Sequence, residues 1–258
     1  MTGWRKSVDF GRTAADYARH RAGYPEELFV RLAALGVGQA SQRLLDVATG
    51  TGYLGRGFAR RGARVTGLDR SDDLLGEARR LDAEAGVEND YVLAPAEDTG
   101  LADASFDVVS VGQAWHWFER PKVAAEIRRL LTAGGTIALA HFDWVPVPGS
   151  VVEASEALIQ AHNPDWPWGG GDGFHVYEAA DLSAAGFKTI ESFSFDVDVP
   201  YSAEAWRGRV RASAGIGATL PADRIAAFDS EHAALLAERF DDEFSAPHRA
   251  FAVIGRAP

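Results

Sequence analysis

The run Leu44-Leu45-Asp46-Val47-Ala48-Thr49-Gly50-Thr51-Gly52-Tyr53-Leu54-Gly55 constrains this chain more than any other stretch. An apolar segment ends in an acid, enters a Gly-rich turn and leads into a helix-like segment. Open α/β sheets are built this way at their first strand, and they hold ligands beyond the carboxyl end of that strand. The surrounding pattern agrees. Residues 41–140 alternate between strand-like and helix-like segments, which predicts a parallel sheet flanked by helices. Strands are expected at Arg43–Val47, Arg64–Leu68, Tyr91–Ala94, Asp107–Val111 and Thr136–Ala140. Helices are expected at Tyr53–Arg61, Asp72–Ala85 and Lys122–Leu131. Ser71 should cap the second helix, and Gly134-Gly135 should stop the third.

Outside this stretch the pattern changes. Val8–Leu35 predicts two helices broken at Gly23-Tyr24-Pro25. Residues 146–186 cluster Pro146, Pro148, Pro164 and Pro167 with Gly169-Gly170-Gly171 and Gly173, and only Ser150–His162 there reads as helix. So long a connection suggests a lid or binding loop. Strands are then expected at Lys188–Val199 and Arg249–Arg256, with helices at Ala203–Ala212 and Ala222–Phe240 between them. The net charge of −11 argues against a nucleic-acid partner bound through phosphates. No apolar run approaches the roughly 20 residues that span a bilayer. The absence of cysteine removes disulfides and thiolate metal sites and fits a cytoplasmic protein. A small-molecule partner is expected, with no membrane association and a monomer or homodimer.

Gly50-Thr51-Gly52-Tyr53-Leu54-Gly55 matches G-x-G-x-x-G, and Asp69 closes the second strand where an acid can bond a ribose hydroxyl. These two features suit NAD, FAD or S-adenosylmethionine (SAM) equally. Asp46 separates them. A carboxylate at the mouth of the first helix would repel a pyrophosphate, and no basic residue within Asp46–Leu54 offsets it. SAM carries an ammonium and a sulfonium and welcomes an acid.

At this point the chain resembles the class I SAM-dependent methyltransferases. Four motifs carry the resemblance in order: Asp46-Val47-Ala48-Thr49-Gly50-Thr51-Gly52, Val65-Thr66-Gly67-Leu68-Asp69-Arg70-Ser71, Ala96-Glu97-Asp98 with Ala104–Val109, and Ile127–Gly135. A narrower likeness, in Asp9-Phe10-Gly11, Tyr17–Arg21, Gly23-Tyr24-Pro25, Gln113–Phe118 and Trp206–Ser213, is to small-molecule methyltransferases of the trans-aconitate type. The resemblance implies a Rossmann-like, doubly wound, seven-stranded α/β sheet with its last strand antiparallel. It implies an N-terminal helical cap over residues 1–40, a SAM-binding core over 41–145, an inserted lid over 146–186, and 187–258 completing the core. It places the methionine end of SAM near Asp46, Gly50 and Gln113, the ribose near Asp69, and the adenine near Arg70, Ala96 and Glu97. Ala48, Thr49 and Gly52 complete the cofactor turn, and Tyr17 and Arg21 become neighbours of the methionine portion. The chain departs from the family pattern at Ala48, where many relatives have glycine. It departs again at Pro95, which cannot donate a hydrogen bond to adenine.

The acceptor side is read from Gln113-Ala114-Trp115-His116-Trp117-Phe118, which follows the fourth strand. Methyl transfer is an in-line displacement that needs orientation and exclusion of water. A base helps where the acceptor must lose a proton. His116 is the expected base, since imidazole titrates near neutrality. Trp115, His116, His141, Trp144 and Trp168 are expected to bind the acceptor. Asp143, Asp165 and Asp172 show no metal-ligand spacing, and no metal is expected. Arg207, Arg209 and Arg211 stand two apart on an expected helix and so cannot form one clamp. The expected activity is transfer of a methyl group from SAM to an oxygen or nitrogen of a small molecule. The alternatives are a SAM-binding protein with another reaction and an NAD-dependent oxidoreductase.

Overall fold

The computed structural model describes residues 19, 20 and 22–258. Tyr17, Arg21 and the first of the two expected N-terminal helices lie outside the described residues. The described residues pack as two compact units, one of Gly23–Phe142, Phe174–Phe195 and Ala250–Pro258, the other of Asp143–Gly173 and Asp196–Arg249 with Arg19, His20 and Ala22.

The first unit begins with α1 (Glu26–Ala34), β1 (Arg43–Val47), α2 (Tyr53–Ala59), β2 (Arg64–Asp69), α3 (Asp72–Ala85) and β3 (Asp90–Leu93). β4 (Phe106–Gly112), a 3-10 turn at Trp115–Trp117, α4 (Arg120–Leu130) and β5 (Leu131–Trp144) follow. Later in the chain come α5 (Val151–His162), α6 (Tyr177–Ala184), β6 (Lys188–Ser202), α7 (Ala203–Arg211), α8 (Ala222–Arg239) and β7 (Glu243–Arg256). The seven strands form one sheet in the order β3-β2-β1-β4-β5-β7-β6, with β7 antiparallel, as expected. Strand order reverses beside β1, which pairs in parallel with both β2 and β4. The carboxyl ends of β1 and β4 therefore flank the switch point, where such sheets bind ligands.

Alternation along β1 and β4 explains why the sheet is covered on both faces. Leu44 and Val108 join a cluster with Leu28, Phe29 and Leu32 of α1 and Leu54 and Phe58 of α2. Leu45, Val47, Val109 and Val111 join another with Val123, Ile127 and Leu130 of α4. Successive side chains point to opposite faces, so a continuous apolar run is what a doubly covered strand requires. The second unit has its own core, in which Val152, Ile159, Trp166, Trp206, Val210 and Phe228 are buried.

Three expectations need correction. Gly134-Gly135 does not stop α4, which ends at Leu130. Leu131 already pairs with Phe106, and the register slips before Val108 meets Thr136. The glycines sit in that slip, with Gly134 at φ +72°. The stretch 146–186 is not one insertion: residues from Phe174 onward belong with the sheet unit. Leu182 of α6, a helix the sequence reading missed, and Phe187 are buried in the β1–β4–α4 cluster and carry that segment with them. Strands β5, β6 and β7 also run longer than expected, with 14, 15 and 14 residues.

Candidate active site

The glycine-rich turn is pinned by the residues around it. Asp46 is only 1% exposed and faces inward rather than toward the mouth. Its carboxylate accepts from the hydroxyls of Thr49 (2.7 Å) and Ser110 (2.6 Å) and from the Gly55 N–H (3.1 Å). Burial pushes its pKa up to about 6 against the pull of those hydrogen bonds. The charge argument that singled out Asp46 is thereby corrected: the acid ties the turn to β4 and α2. Asp69, at the end of β2, accepts from the Gly50 N–H at 2.9 Å and the Ser71 N–H at 3.0 Å. Burial raises its pKa as well. Ser71 caps α3 as expected, its side chain accepting from the Leu74 N–H.

The two glycines of the turn differ in what surrounds them. Gly52 has φ +78°, and a Cβ there would lie 3.0 Å from both Arg56 Nη2 and the Tyr91 hydroxyl. Its lack of a side chain serves the protein's own packing. Gly50 has φ +57°, and a Cβ there would meet nothing within 4 Å. That face of the turn is open to a ligand. Ala48 has φ +53°, so the departure seen in the sequence places a Cβ in the left-handed region, at a cost of about 1–2 kcal/mol.

Two polar side-chain atoms here test whether the residues fit a cofactor. The Thr51 hydroxyl and the Gln113 Nε2 are buried without a hydrogen-bond partner. Buried donors are ordinarily satisfied, and orphans need a reason. Gln113 follows β4 with φ +57°, its N–H donating to Ala140 O at 2.9 Å. It therefore stands beside the end of β1, where Val47 pairs with Val111. An orphaned amide and an orphaned hydroxyl at the switch point suit the carboxylate and ammonium of an amino acid moiety. Ala96 is buried, Glu97 half-buried and Arg70 exposed. Glu97 accepts from the Glu119 N–H at 3.3 Å. Tyr24 also reaches these strand ends: its hydroxyl lies 3.5 Å from Ala140 O, and a Cβ on Gly112 would meet it at 2.7 Å. A separate cleft of about 640 Å³, lined by Tyr24, Phe29, Tyr53, Arg56 and Arg60 among others, has none of Gly50, Asp69, Ala96 or Gln113 in its wall.

The acceptor candidates separate on burial. His116 is half-buried in the 3-10 turn, tilted against Trp117 with ring centroids 5.3 Å apart. Trp115, expected to line a pocket, is fully buried and donates from Nε1 to Asp181 of α6 at 3.0 Å. It is a core residue because α6 covers it. His141 is likewise fully buried, its Nε2 2.7 Å from Glu178 Oε1 and its ring stacked 3.5 Å from that of His175. His141 Nδ1 and Glu178 Oε2 have no hydrogen-bond partner. Glu178 was invisible in the sequence, since its partner lies 37 residues away. In the other unit, Trp144 donates to Glu156 at 2.7 Å and stacks under the Arg209 guanidinium at 4.5 Å. Trp168 packs half-buried on that unit's core. Arg207 and Arg211, four apart, share a helix face and together clamp Asp229, which corrects the expectation that these arginines form no single clamp; the carboxylate they hold is the protein's own.

Comparison with known proteins shows what the sheet unit is similar to. A family model described as a methyltransferase domain matches residues 45–139. Residues 45–139 are thus similar to a methyltransferase domain. The class I sheet order accompanies it. Over 152 residues the chain is 32% identical to an uncharacterised methyltransferase of Mycobacterium tuberculosis, covering 57% of this chain and 59% of that one. It is 31% identical over 152 residues to the malonyl-[acyl-carrier protein] O-methyltransferase of Serratia marcescens, covering 58% and 56%. The match thus spans less than two thirds of these relatives. A solved structure of a putative type II methyltransferase from Anaeromyxobacter dehalogenans shares the fold, with TM-score 0.63, 24% identity, and 92% and 97% of the two chains covered. The matched stretch contains Asp46, Asp69, Ala96 and Gln113, and His141, Trp144 and Trp168 lie beyond it. Among the described residues, no helix is long and apolar enough to cross a membrane.

Proposed function

We propose that this chain is a SAM-dependent methyltransferase that methylates an oxygen or nitrogen atom of a small molecule in the cytoplasm. The observation that carries the reading is the open face of Gly50 together with the orphaned Thr51 hydroxyl and Gln113 amide at the switch point. In this reading Asp69 bonds the ribose, and Ala96 and Glu97 line the adenine side. When bound, SAM supplies a methyl group already activated on a sulfonium. The chain's own work is then to orient the acceptor, exclude water and receive a proton where one must leave. His116 is the half-buried imidazole proposed to receive it. The O-methyltransferase among the relatives supports an oxygen acceptor.

Calorimetric titration with S-adenosylhomocysteine and with NADH tests the cofactor. S-adenosylhomocysteine should bind and NADH should not; the reverse result would overturn the reading. His116→Ala should lower transfer from methyl-labelled SAM about a hundred-fold, the low end of what general bases contribute. It should leave S-adenosylhomocysteine affinity unchanged. Undiminished turnover would remove His116 from the mechanism.

A further inference from the structure

Beneath the glycine-rich turn lies a buried network that neither the motif nor the proposed chemistry accounts for. Arg56 of α2 reaches back to the turn, and its Nη2 donates to Thr51 O at 2.9 Å and to Ala78 O at 3.2 Å. Its Nε donates to Asp82 of α3 at 2.7 Å, and the two side chains are 8% and 6% exposed. The other oxygen of Asp82 accepts from Asn89 at 2.8 Å and from the Tyr91 hydroxyl at 2.6 Å. Tyr91 closes the network against the sheet, where a Cβ on Gly67 would lie 2.6 Å from its ring.

Stability alone does not explain such an arrangement. A buried ion pair can often be replaced by apolar residues of similar volume without loss, because desolvation cancels most of the attraction. What apolar residues cannot reproduce is the hydrogen bond to the Thr51 carbonyl. That carbonyl belongs to the peptide joining Thr51, whose hydroxyl is orphaned, to Gly52, whose N–H donates to Thr49 O at 2.9 Å. Arg56 therefore holds the carbonyl side of a turn peptide that neither Asp46 nor Asp69 bonds, while the Gly52 N–H holds its other side. The guanidinium fork is needed for this, since it serves Asp82 and Thr51 at once.

We propose that Arg56, oriented by Asp82 and Tyr91, is a positioning residue that holds the Thr51–Gly52 peptide in the cofactor-accepting conformation. The inference rests on the SAM reading above, and assigns the network no contact with the cofactor.

The test uses the full chain and S-adenosylhomocysteine as the probe. The double variant Arg56→Met/Asp82→Leu removes both charges and keeps the volume. It should melt below wild type, because Asn89 and Tyr91 lose their acceptor. The folded protein should bind S-adenosylhomocysteine about ten-fold more weakly, the loss expected for one hydrogen bond from a charged group. Arg56→Lys keeps a charge beside Asp82 but lacks the fork. It should also weaken binding several-fold and shift the Gly52 amide resonance in the ligand-free protein. If the double variant does not fold, Arg56→Lys decides. Wild-type affinity in the folded variants, with an unmoved Gly52 amide, would overturn the inference, because a merely structural pair predicts that result. Failure of the wild-type chain to bind the probe would overturn the SAM reading instead. The Gly52 resonance would still report whether Arg56 holds the turn.

Discussion

Asp46 carries a charge where its surroundings disfavour one, and three hydrogen bonds offset only part of that cost. A carboxyl whose folded pKa is raised contributes stability that is full below the unfolded pKa of 3.8 and is lost as pH rises through about 6. Asp46→Asn removes the titration. Relative to wild type it should therefore gain about 3 kcal/mol between pH about 4 and pH about 7. Denaturant unfolding of both proteins at the two pH values reads the gain, and a constant difference would mean the carboxyl titrates normally. Gln113 poses a different trade. Its φ of +57° is strained for any residue but glycine. In Gln113→Gly, relief of that strain offsets the added chain entropy, so stability should stay within about 1 kcal/mol of wild type. The orphaned amide is lost, and S-adenosylhomocysteine affinity should fall about ten-fold in a calorimetric titration. Unchanged affinity would take Gln113 out of the cofactor site. Both residues were legible as types in a motif; their orientations were not. Asp46 turns inward because the hydroxyl of Ser110, 64 residues away, donates to it, and Trp115 is core because its indole donates to Asp181.

Elements whose partners are near in sequence were the legible ones. β1, the turn, α2, β2 and α3 each follow from local periodicity, a cap or a glycine. α6 has only Glu178 and Leu182 as its buried stripe, and its reason to be a helix lies in the core it covers. The glycines at 134–135 read as a stop signal because a slipped strand register is a property of two strands, and only one was in view. A close helix packing makes a similar point in reverse. Gly57 lies within α2, where alanine would ordinarily add about 0.5–1 kcal/mol. Here a Cβ would meet the Phe29 ring of α1 at 2.1 Å. That ring is fixed edge-on against Phe58 at 5.3 Å and lies under the Arg61 guanidinium at 4.1 Å. Gly57→Ala should therefore destabilise the protein by about 1–3 kcal/mol, the range for overpacking. A lower denaturation midpoint at unchanged slope would verify it. A higher midpoint would mean α1 yields to the new methyl group.

At the scale of the whole chain, two buried groups with large and opposite effects, Asp46 and His232, oppose one another on acidification, with Asp69 and Glu156, also raised by burial, acting in the direction of Asp46. His232 of α8 is fully buried, its Nε2 2.9 Å from the Ser155 hydroxyl oxygen, which also accepts from Trp206 Nε1 at 2.8 Å. Burial pushes its pKa down from 6.5 to about 4. A histidine with a depressed folded pKa contributes stability above its unfolded value and loses it as pH falls toward its folded value. The loss is about 3 kcal/mol between pH 6.5 and 4. Asp46 gains about the same amount over nearly the same interval. Carboxylates held by arginine act lower: Glu126, pulled down to about 2 chiefly by Arg129, gives up its contribution only as pH falls below its ordinary value of 4.5. Wild-type stability should therefore change little between pH about 6.5 and about 4.5, and fall steeply below. Removing either buried group unmasks the other. Asp46→Asn should lose stability on acidification through that interval, and His232→Gln should gain it. Denaturant midpoints across the range, with all three proteins showing parallel profiles, would mean that neither group titrates in the folded chain as its burial demands.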